Sequence, residues 1–116
     1  MKFYQYPKCS TCVKARKYLE LNRISVDSIN IVEQAPSKSE LELMLASYDG
    51  NIRKLFNTSG MQYRELNMKD RLPSMEVDQA LDLLASNGML VKRPFLLKDG
   101  KGIVGFKESD WDSFLG

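Results

Sequence analysis

Near its amino terminus the chain reads Lys2-Phe3-Tyr4-Gln5-Tyr6-Pro7-Lys8-Cys9-Ser10-Thr11-Cys12. The first five of these residues are rich in aromatic side chains and alternate, a pattern that predicts a short β-strand ending at Pro7. Ser10 and Thr11 are candidate helix caps, and apolar side chains recur on one helical face from about Cys12 to Asn22. The stretch therefore predicts a strand followed at once by a helix, with two cysteines at the junction.

The next segments predict a second strand and a second helix. Residues 24–32 carry β-branched side chains in partial alternation, which favours a strand. A strand, a helix and a strand in this order form a right-handed βαβ unit with parallel strands. Ser37 and Glu40 have the spacing of a capping box, which predicts a helix over residues 37–48.

The remainder of the chain predicts a helical block followed by a β-hairpin and a last helix. Helical segments are expected at residues 52–56, 63–66 and 76–85. The pair Asp99-Gly100 is a strong hairpin signal, and it separates two short apolar strands, Pro94–Leu97 and Ile103–Phe106. The last helix is expected to begin at Ser109 or Asp110 and to end at Leu115. The predicted class is therefore α/β.

Composition excludes several kinds of function. The chain has 116 residues, which predicts one domain over residues 1–116. Lys and Arg number 17 and Asp and Glu number 15, so the net charge is +2, and neither nucleic acid nor a membrane surface is an expected partner. There is no histidine, which excludes Ser-His-Asp and Cys-His catalysis and leaves a poor set of zinc ligands, so no metal is expected.

The cysteines are expected to be chemically active. No apolar run reaches the roughly 18 residues of a membrane span, and the amino terminus lacks the apolar core and cleavage site of a signal peptide. The predicted location is the cytoplasm. In that reducing compartment two cysteines are more often reactive or redox-active than a structural disulfide.

The Cys-x-x-Cys pair is the sharpest chemical feature. Cys9 precedes a predicted helix, where free N–H groups and the helix dipole stabilise a thiolate, and Lys8, Lys14 and Arg16 add positive charge. Cys12 is placed one turn later to attack a mixed disulfide on Cys9. Such a pair beside a βαβ pattern is typical of a thioredoxin-like redox motif, the alternative being two unreactive cysteines in a first helical turn.

The Arg93-Pro94 pair and the polar loop over residues 57–64 each have two interpretations. A proline at the start of a strand is tolerated for backbone reasons alone, but thioredoxin-like folds use a cis-proline beside the active thiol. Arg93 would then face the thiol pocket and bind an anionic substrate or the Cys9 thiolate; otherwise it is a solvated arginine. The loop either presents binding groups or simply caps a helix.

Four separated segments together resemble the arsenate reductase-like (ArsC/Spx) family over essentially the whole chain. They are Tyr6–Ala15, Phe56–Gly60, Lys92–Pro94 and Val104–Phe106. In character the chain is most similar to the small YusI/YffB-type branch of that family. The resemblance implies an α/β thioredoxin-like (glutaredoxin-like) fold with a helical insert, at about residues 34–90, between the βαβ and ββα halves.

The resemblance also implies a thiol-dependent reductase with no bound cofactor. Its Cys9 would attack a small disulfide, thiol or oxyanion substrate, and a redox disulfide between Cys9 and Cys12 would form. Glutathione would be a co-substrate, with glutaredoxin or thioredoxin as a protein partner. The implied catalytic residues are Cys9, Cys12 and Arg93, and the implied substrate-binding residues are Lys8, Ser10, Thr11, Asn57 and Pro94.

The chain departs from the family pattern at two arginine positions, and the resemblance also allows an alternative function. Of the three family arginines that hold the oxyanion, one corresponds to Arg93, and the others fall at about Asn57 and Phe106, which weakens the case for arsenate as the substrate. Spx proteins share the Cys-x-x-Cys pair as a redox switch and bind the C-terminal domain of the RNA polymerase α subunit. The alternative function is therefore a redox-sensitive transcriptional regulator of the Spx kind.

Overall fold

The computed structural model describes residues 1–116 and contains one four-stranded β-sheet with helices on both faces. The strands are β1 (Lys2–Gln5), β2 (Asp27–Asn30), β3 (Phe95–Lys98) and β4 (Lys101–Val104), in the spatial order β2-β1-β3-β4. β1 and β2 are parallel, whereas β3 is antiparallel to both of its neighbours. The predicted βαβ unit and hairpin are therefore both present, and the α/β class is confirmed.

Six α-helices and three short 3₁₀ segments make up the rest of the regular structure. The α-helices are α1 (Ser10–Leu21), α2 (Lys38–Ser47), α3 (Met61–Glu65), α4 (Met68–Arg71), α5 (Val77–Ser86) and α6 (Glu108–Leu115). The 3₁₀ segments are Ile52–Leu55, Leu72–Ser74 and Gly88–Leu90. We call everything from α2 to Leu90 the helical insert, since it joins β2 to β3. No helix has both the length and the apolar composition needed to span a bilayer.

Alternation along the strands produces two apolar cores, one on each face of the sheet. Successive side chains of a strand point to opposite faces, so Phe3 and Leu96 pack with α1 and Trp111 of α6. Tyr4 and Phe95 lie on the other face and pack with the helical insert. The end of β1 that leads to the two cysteines is therefore packed between the two cores.

The observed β2 is shorter than the predicted strand over residues 24–32. The Ile24 N–H donates to the Leu19 carbonyl at 2.9 Å, so this residue still belongs to the turn that ends α1. Beyond the strand, the Val32 N–H donates to the Asn30 side chain at 3.0 Å. Local hydrogen bonds at both ends therefore take backbone groups that a longer strand would have used.

Residues 67–75, where no element was predicted, contain α4 and a 3₁₀ segment. Asn67 adopts a left-handed conformation with φ of 53°, which starts a new helix immediately after α3. Met68 and Leu72 are buried, and two apolar residues four positions apart are too short a pattern to distinguish a helical turn from a loop. Shifts of one to three residues also occur elsewhere: the predicted strand over residues 103–106 lies at Lys101–Val104.

The outer side of β4 is covered by the helical insert. The Gly102 N–H donates to Ser47 Oγ at 3.0 Å, and the Val104 N–H donates to Tyr48 Oη at 3.0 Å. A Cβ at Gly102 would lie 2.5 Å from the end of the Met44 side chain, so a larger residue here would require that flexible side chain to move.

Candidate functional site

Cys9 is the residue at which the chain turns from β1 into α1. Its N–H donates to the Tyr6 carbonyl at 3.0 Å, and its own carbonyl accepts from the Val13 N–H at 3.0 Å. With φ of −81° and ψ of 122° it is the N-cap of α1, and its side chain makes no ordinary capping hydrogen bond. The prediction that Ser10 and Thr11 cap the helix is wrong, because both residues already lie inside α1.

The surroundings of Cys9 favour its ionised form. Half-burial of the thiol opposes ionisation, but interactions with the N–H groups of Cys12 and Thr11, the Cys12 thiol and the Arg93 guanidinium outweigh it, so the pKa of Cys9 lies below its ordinary value. These N–H groups belong to the first turn of α1, where the helix dipole is positive. No acidic residue occupies that turn, so no carboxylate within it opposes the thiolate.

Cys12 has the opposite character. Its side chain is fully buried, and its sulfur accepts a hydrogen bond from the Tyr6 N–H at 3.5 Å. Burial and the neighbouring Cys9 raise the pKa of Cys12 to about 12, although the bond from Tyr6 acts in the other direction. The two thiols are free, so the site combines one thiol poised to ionise with one that stays protonated at neutral pH.

Arg93 brings a cation to this pair from the other half of the fold. Its guanidinium lies 5.2 Å from the centre of the Tyr6 ring, within the range of a cation–π interaction. Its Nη1 donates to the Met89 carbonyl at 3.3 Å, while its Nε is buried with no hydrogen-bond partner. A buried donor without a partner costs about 1–3 kcal/mol, and here it leaves Arg93 a free N–H in the same site as the Cys9 thiol.

The other residues predicted for the site differ in their exposure and in their contacts. Lys8 and Ser10 are exposed, whereas Thr11 contributes its backbone N–H to Cys9. The Arg93–Pro94 peptide bond is cis, which agrees with the thioredoxin-like interpretation of this pair, and Pro94 is buried with its carbonyl accepting from the Gly105 N–H. Asn57 is half-buried, and its N–H donates to the Leu90 carbonyl at 2.8 Å.

Sequence reasoning missed two residues that position the arginine, Tyr6 and Met89. An aromatic residue before Pro7 is a weak signal for Tyr6, and nothing in the local pattern indicates Met89. Arg16, expected to add positive charge near Cys9, instead donates to the Gln5 side chain at 2.6 Å. It therefore holds α1 against the end of β1.

The sheet order, the Cys-x-x-Cys pair at the start of α1 and the cis-proline before β3 define a thioredoxin-fold protein with a thiol site. The chain belongs to the ArsC family, whose model matches residues 4–114.

Individual relatives agree with this assignment. The chain is 50% identical over 110 residues to a protein designated YusI from Bacillus subtilis strain 168, covering 95% of this chain and 93% of the relative. It is 29% identical over 113 residues to the global transcriptional regulator Spx of Enterococcus faecalis strain V583, covering 97% of this chain and 83% of the relative.

Solved structures share the whole architecture. An ArsC family related protein from Bacteroides fragilis superimposes with a TM-score of 0.90 at 42% identity, covering 97% of both chains. The crystal structure of a possible arsenate reductase from Streptococcus mutans UA159 gives a TM-score of 0.87 at 42% identity, covering 96% of both chains. Family and neighbours together support a thiol-dependent, reductase-like protein.

Proposed function

We propose that the chain is a thiol–disulfide oxidoreductase of the arsenate reductase-like kind, with Cys9 as the nucleophile and Cys12 as the resolving thiol. The observation that carries this proposal is the divergence of the two thiols: the pKa of Cys9 is lowered while burial raises that of Cys12 to about 12. A reductase of this kind needs an accessible thiolate to attack first and a protonated thiol held in reserve.

The proposed reaction has two exchange steps. In the first, the Cys9 thiolate attacks one sulfur of a substrate disulfide, a Cys9–substrate disulfide forms, and the departing sulfur leaves with the electron pair and takes a proton from solvent. In the second, Cys12 loses its proton and attacks Cys9, which forms the Cys9–Cys12 disulfide and releases the second substrate thiol. Two electrons pass from the cysteine pair to the substrate, and two glutathione molecules, or the dithiol of a glutaredoxin or thioredoxin, return them.

The polar residues around Cys9 have distinct proposed roles. Arg93 stabilises the Cys9 thiolate and the negative charge on a departing sulfur, because a charge-assisted hydrogen bond is about twice as strong as a neutral one. The N–H of Thr11 adds to this stabilisation. Lys8 and Ser10, both exposed, would contact the substrate at the mouth of the site, and Asn57 and Pro94 would bound it on the side of β3.

The structure offers a further reason to prefer a disulfide over arsenate. Phe106, at the position expected of one oxyanion arginine, packs with its ring centre 5.1 Å from that of Trp111 and 5.5 Å from that of Tyr18. It is part of an aromatic core. Arg93 would therefore be the one cation of the family's three that is left to hold an oxyanion.

Reduction of a chromogenic mixed disulfide by glutathione, with and without this protein, tests the proposal. We expect Cys9→Ser to abolish the accelerated rate. When glutathione is left out, Cys12→Ser should accumulate a covalent Cys9–substrate adduct visible by mass spectrometry, and it serves as the matched control for loss of a thiol. If Cys9→Ser retains the full rate, Cys9 is not the nucleophile and the proposal is wrong.

A second candidate function is a redox-switched regulator that binds the C-terminal domain of the RNA polymerase α subunit. The likeness to Spx over 97% of this chain favours it. The test is capture of that purified domain by the reduced and by the oxidised protein. Binding in one redox state alone would support a switch, and binding in neither state would remove this candidate.

A further inference from the structure

Two hollows that share lining residues lie at the helical insert. The first has a volume of about 400 Å³ and is lined by Lys54, Lys92 and Val104, among others. The second, of about 790 Å³, lies within the insert. Both hollows include Arg53 and Thr58 in their walls, so they adjoin each other, and we call the two together the basic cleft.

The topology of the sheet places two lining residues of the basic cleft at the edge that carries the thiols. Cys9 follows the carboxyl end of β1. Because β3 is antiparallel to β1 and β4 is antiparallel to β3, the residues before β3 and those that end β4 come to this same edge. Lys92 and Val104 are those residues, and Lys92 directly precedes Arg93. A chain that fills the cleft can therefore continue towards Cys9.

The cleft concentrates positive charge in a chain that is almost neutral as a whole. Four cationic side chains line it: Arg53, Lys54, Lys69 and Lys92. None of them is in an ion pair, since the ion pairs of the structure involve Lys2 and Lys38 only. Asp110 is the single acidic residue in the two linings. Such a cleft with low-dielectric walls raises the local concentration of anions.

The floor of the larger hollow is apolar. Its lining includes Ile52, Leu72, Pro73, Met75 and Val77. A ligand for the whole cleft must therefore combine several negative charges with apolar groups. Nucleic acid fits poorly, because binding of single strands uses exposed aromatic rings for stacking. Of the three aromatic side chains in the two linings, Phe56 and Tyr63 are buried, and Tyr48 is half-buried with its hydroxyl accepting from the Val104 N–H.

We propose that the basic cleft binds an acidic polypeptide segment of the substrate, next to the disulfide that Cys9 attacks. This inference rests on the proposed oxidoreductase function and specifies its substrate class: a protein or peptide disulfide with Asp or Glu residues beside the reactive cysteine. Carboxylates pair with the four cations, and neighbouring apolar side chains occupy the floor. The charges act mainly by steering association, so their effect falls as salt rises.

The test uses three synthetic peptides that differ only in the residues flanking a single cysteine, which is held as a mixed disulfide with a chromogenic thiol. The flanks are Glu, Gln or Lys. We compare kcat/KM for the wild type, the cleft variant Lys54→Glu/Lys69→Glu, and the control Lys17→Glu/Lys101→Glu. The control makes the same charge change at exposed lysines on α1 and at the opposite edge of the sheet.

We expect the wild type to prefer the Glu-flanked over the Gln-flanked peptide by about tenfold at low salt, a preference that physiological salt reduces. The cleft variant should lose the preference for the Glu-flanked peptide, and the control variant should keep it. Equal rates for all three peptides, or equal loss in both variants, would overturn the inference while leaving the oxidoreductase function intact.

A binding measurement keeps the two proposals separate. Fluorescence anisotropy of a labelled, cysteine-free Glu-rich peptide reports on the cleft without any thiol chemistry. If no peptide disulfide is turned over, the function fails; the cleft as an acidic-peptide site still stands if the cleft variant loses this binding and the control does not. Absence of binding to the wild type, or equal displacement of the peptide by single-stranded DNA, refutes the inference.

Discussion

Replacement of Gly88 by alanine should destabilise the protein through a single backbone collision. Gly88 opens the 3₁₀ segment that leads to Arg93, and a Cβ built on it would lie 1.8 Å from the carbonyl oxygen of Ile31. A relaxed carbon–oxygen contact is about 3.3 Å, so one of the two backbones would have to move by roughly 1.5 Å. Neither moves freely, because Ile31 is fully buried and its N–H donates to the Gln5 carbonyl.

The expected loss for Gly88→Ala is at least about 3 kcal/mol, the upper part of the range for overpacking, since the obstacle is backbone and not a flexible side chain. Gly100→Ala is the matched control: its φ is +77° and nothing lies within 4 Å of the added Cβ, so it should lose only the about 1–2 kcal/mol of left-handed backbone. With a urea m-value of about 1–3 kcal/mol/M, the Gly88→Ala midpoint should fall by at least about 1 M.

Urea unfolding followed by the fluorescence of Trp111, which is the one tryptophan and is fully buried, measures both variants. The damage should also reach the thiol site, because the Met89 carbonyl that holds Arg93 is adjacent to the collision. Alkylation of Cys9 by iodoacetamide should therefore slow at neutral pH in Gly88→Ala and not in Gly100→Ala. A Gly88→Ala protein as stable as the control would refute the reasoning.

Two further predictions concern charged side chains. Arg93→Met should raise the pH at which Cys9 alkylation begins, since the guanidinium helps to lower the Cys9 pKa, and Arg93→Lys should restore part of the shift; identical pH profiles for all three proteins would contradict this. Although burial opposes ionisation of Glu40, hydrogen bonds from Tyr4 Oη, the Ser37 N–H and Lys2 hold its pKa below the ordinary value. Its carboxylate therefore stabilises the fold above the unfolded pKa of about 4.3, and this is lost as the pH falls through the folded pKa. Glu40→Gln should lower the urea midpoint at pH 7, and the midpoint of this variant should decrease less than that of the wild type between pH 7 and pH 3. If the midpoints of both proteins decrease equally over this range, Glu40 does not have this role.

Local patterns were sufficient for most elements because their determinants lie within a few residues of each other. The capping box of α2 is formed as the sequence predicted: Glu40 N–H donates to Ser37 Oγ, and the Ser37 N–H donates to Glu40 Oε1. The hairpin follows from Asp99-Gly100 in the same way. The cis bond before Pro94 is different, because it was predicted only through the fold that the cysteine pair and the family resemblance implied.

The details of the site depend on contacts between distant residues, which periodicity cannot reveal. Arg93 could be placed near Cys9, but its support by the Tyr6 ring and the Met89 carbonyl requires the folded sheet. The capping error has a related cause: the hydroxyl side chains of Ser10 and Thr11 suit an N-cap, but the chain becomes helical one residue earlier than they require. Cys9 therefore takes the N-cap position, and a thiol occupies the place that a hydroxyl usually has.

The helical insert also protects the outer edge of β4, where Ser47 and Tyr48 accept hydrogen bonds from backbone N–H groups. An open edge strand presents free N–H groups on which another chain can pair, and proteins commonly guard such edges. Here the two outward N–H groups, those of Gly102 and Val104, are already satisfied. A shortened protein that kept the thiols but lacked α2 would lose this protection and should self-associate through β4. The insert thus keeps β4 from pairing with the edge strand of another copy, and its residues also line most of the basic cleft.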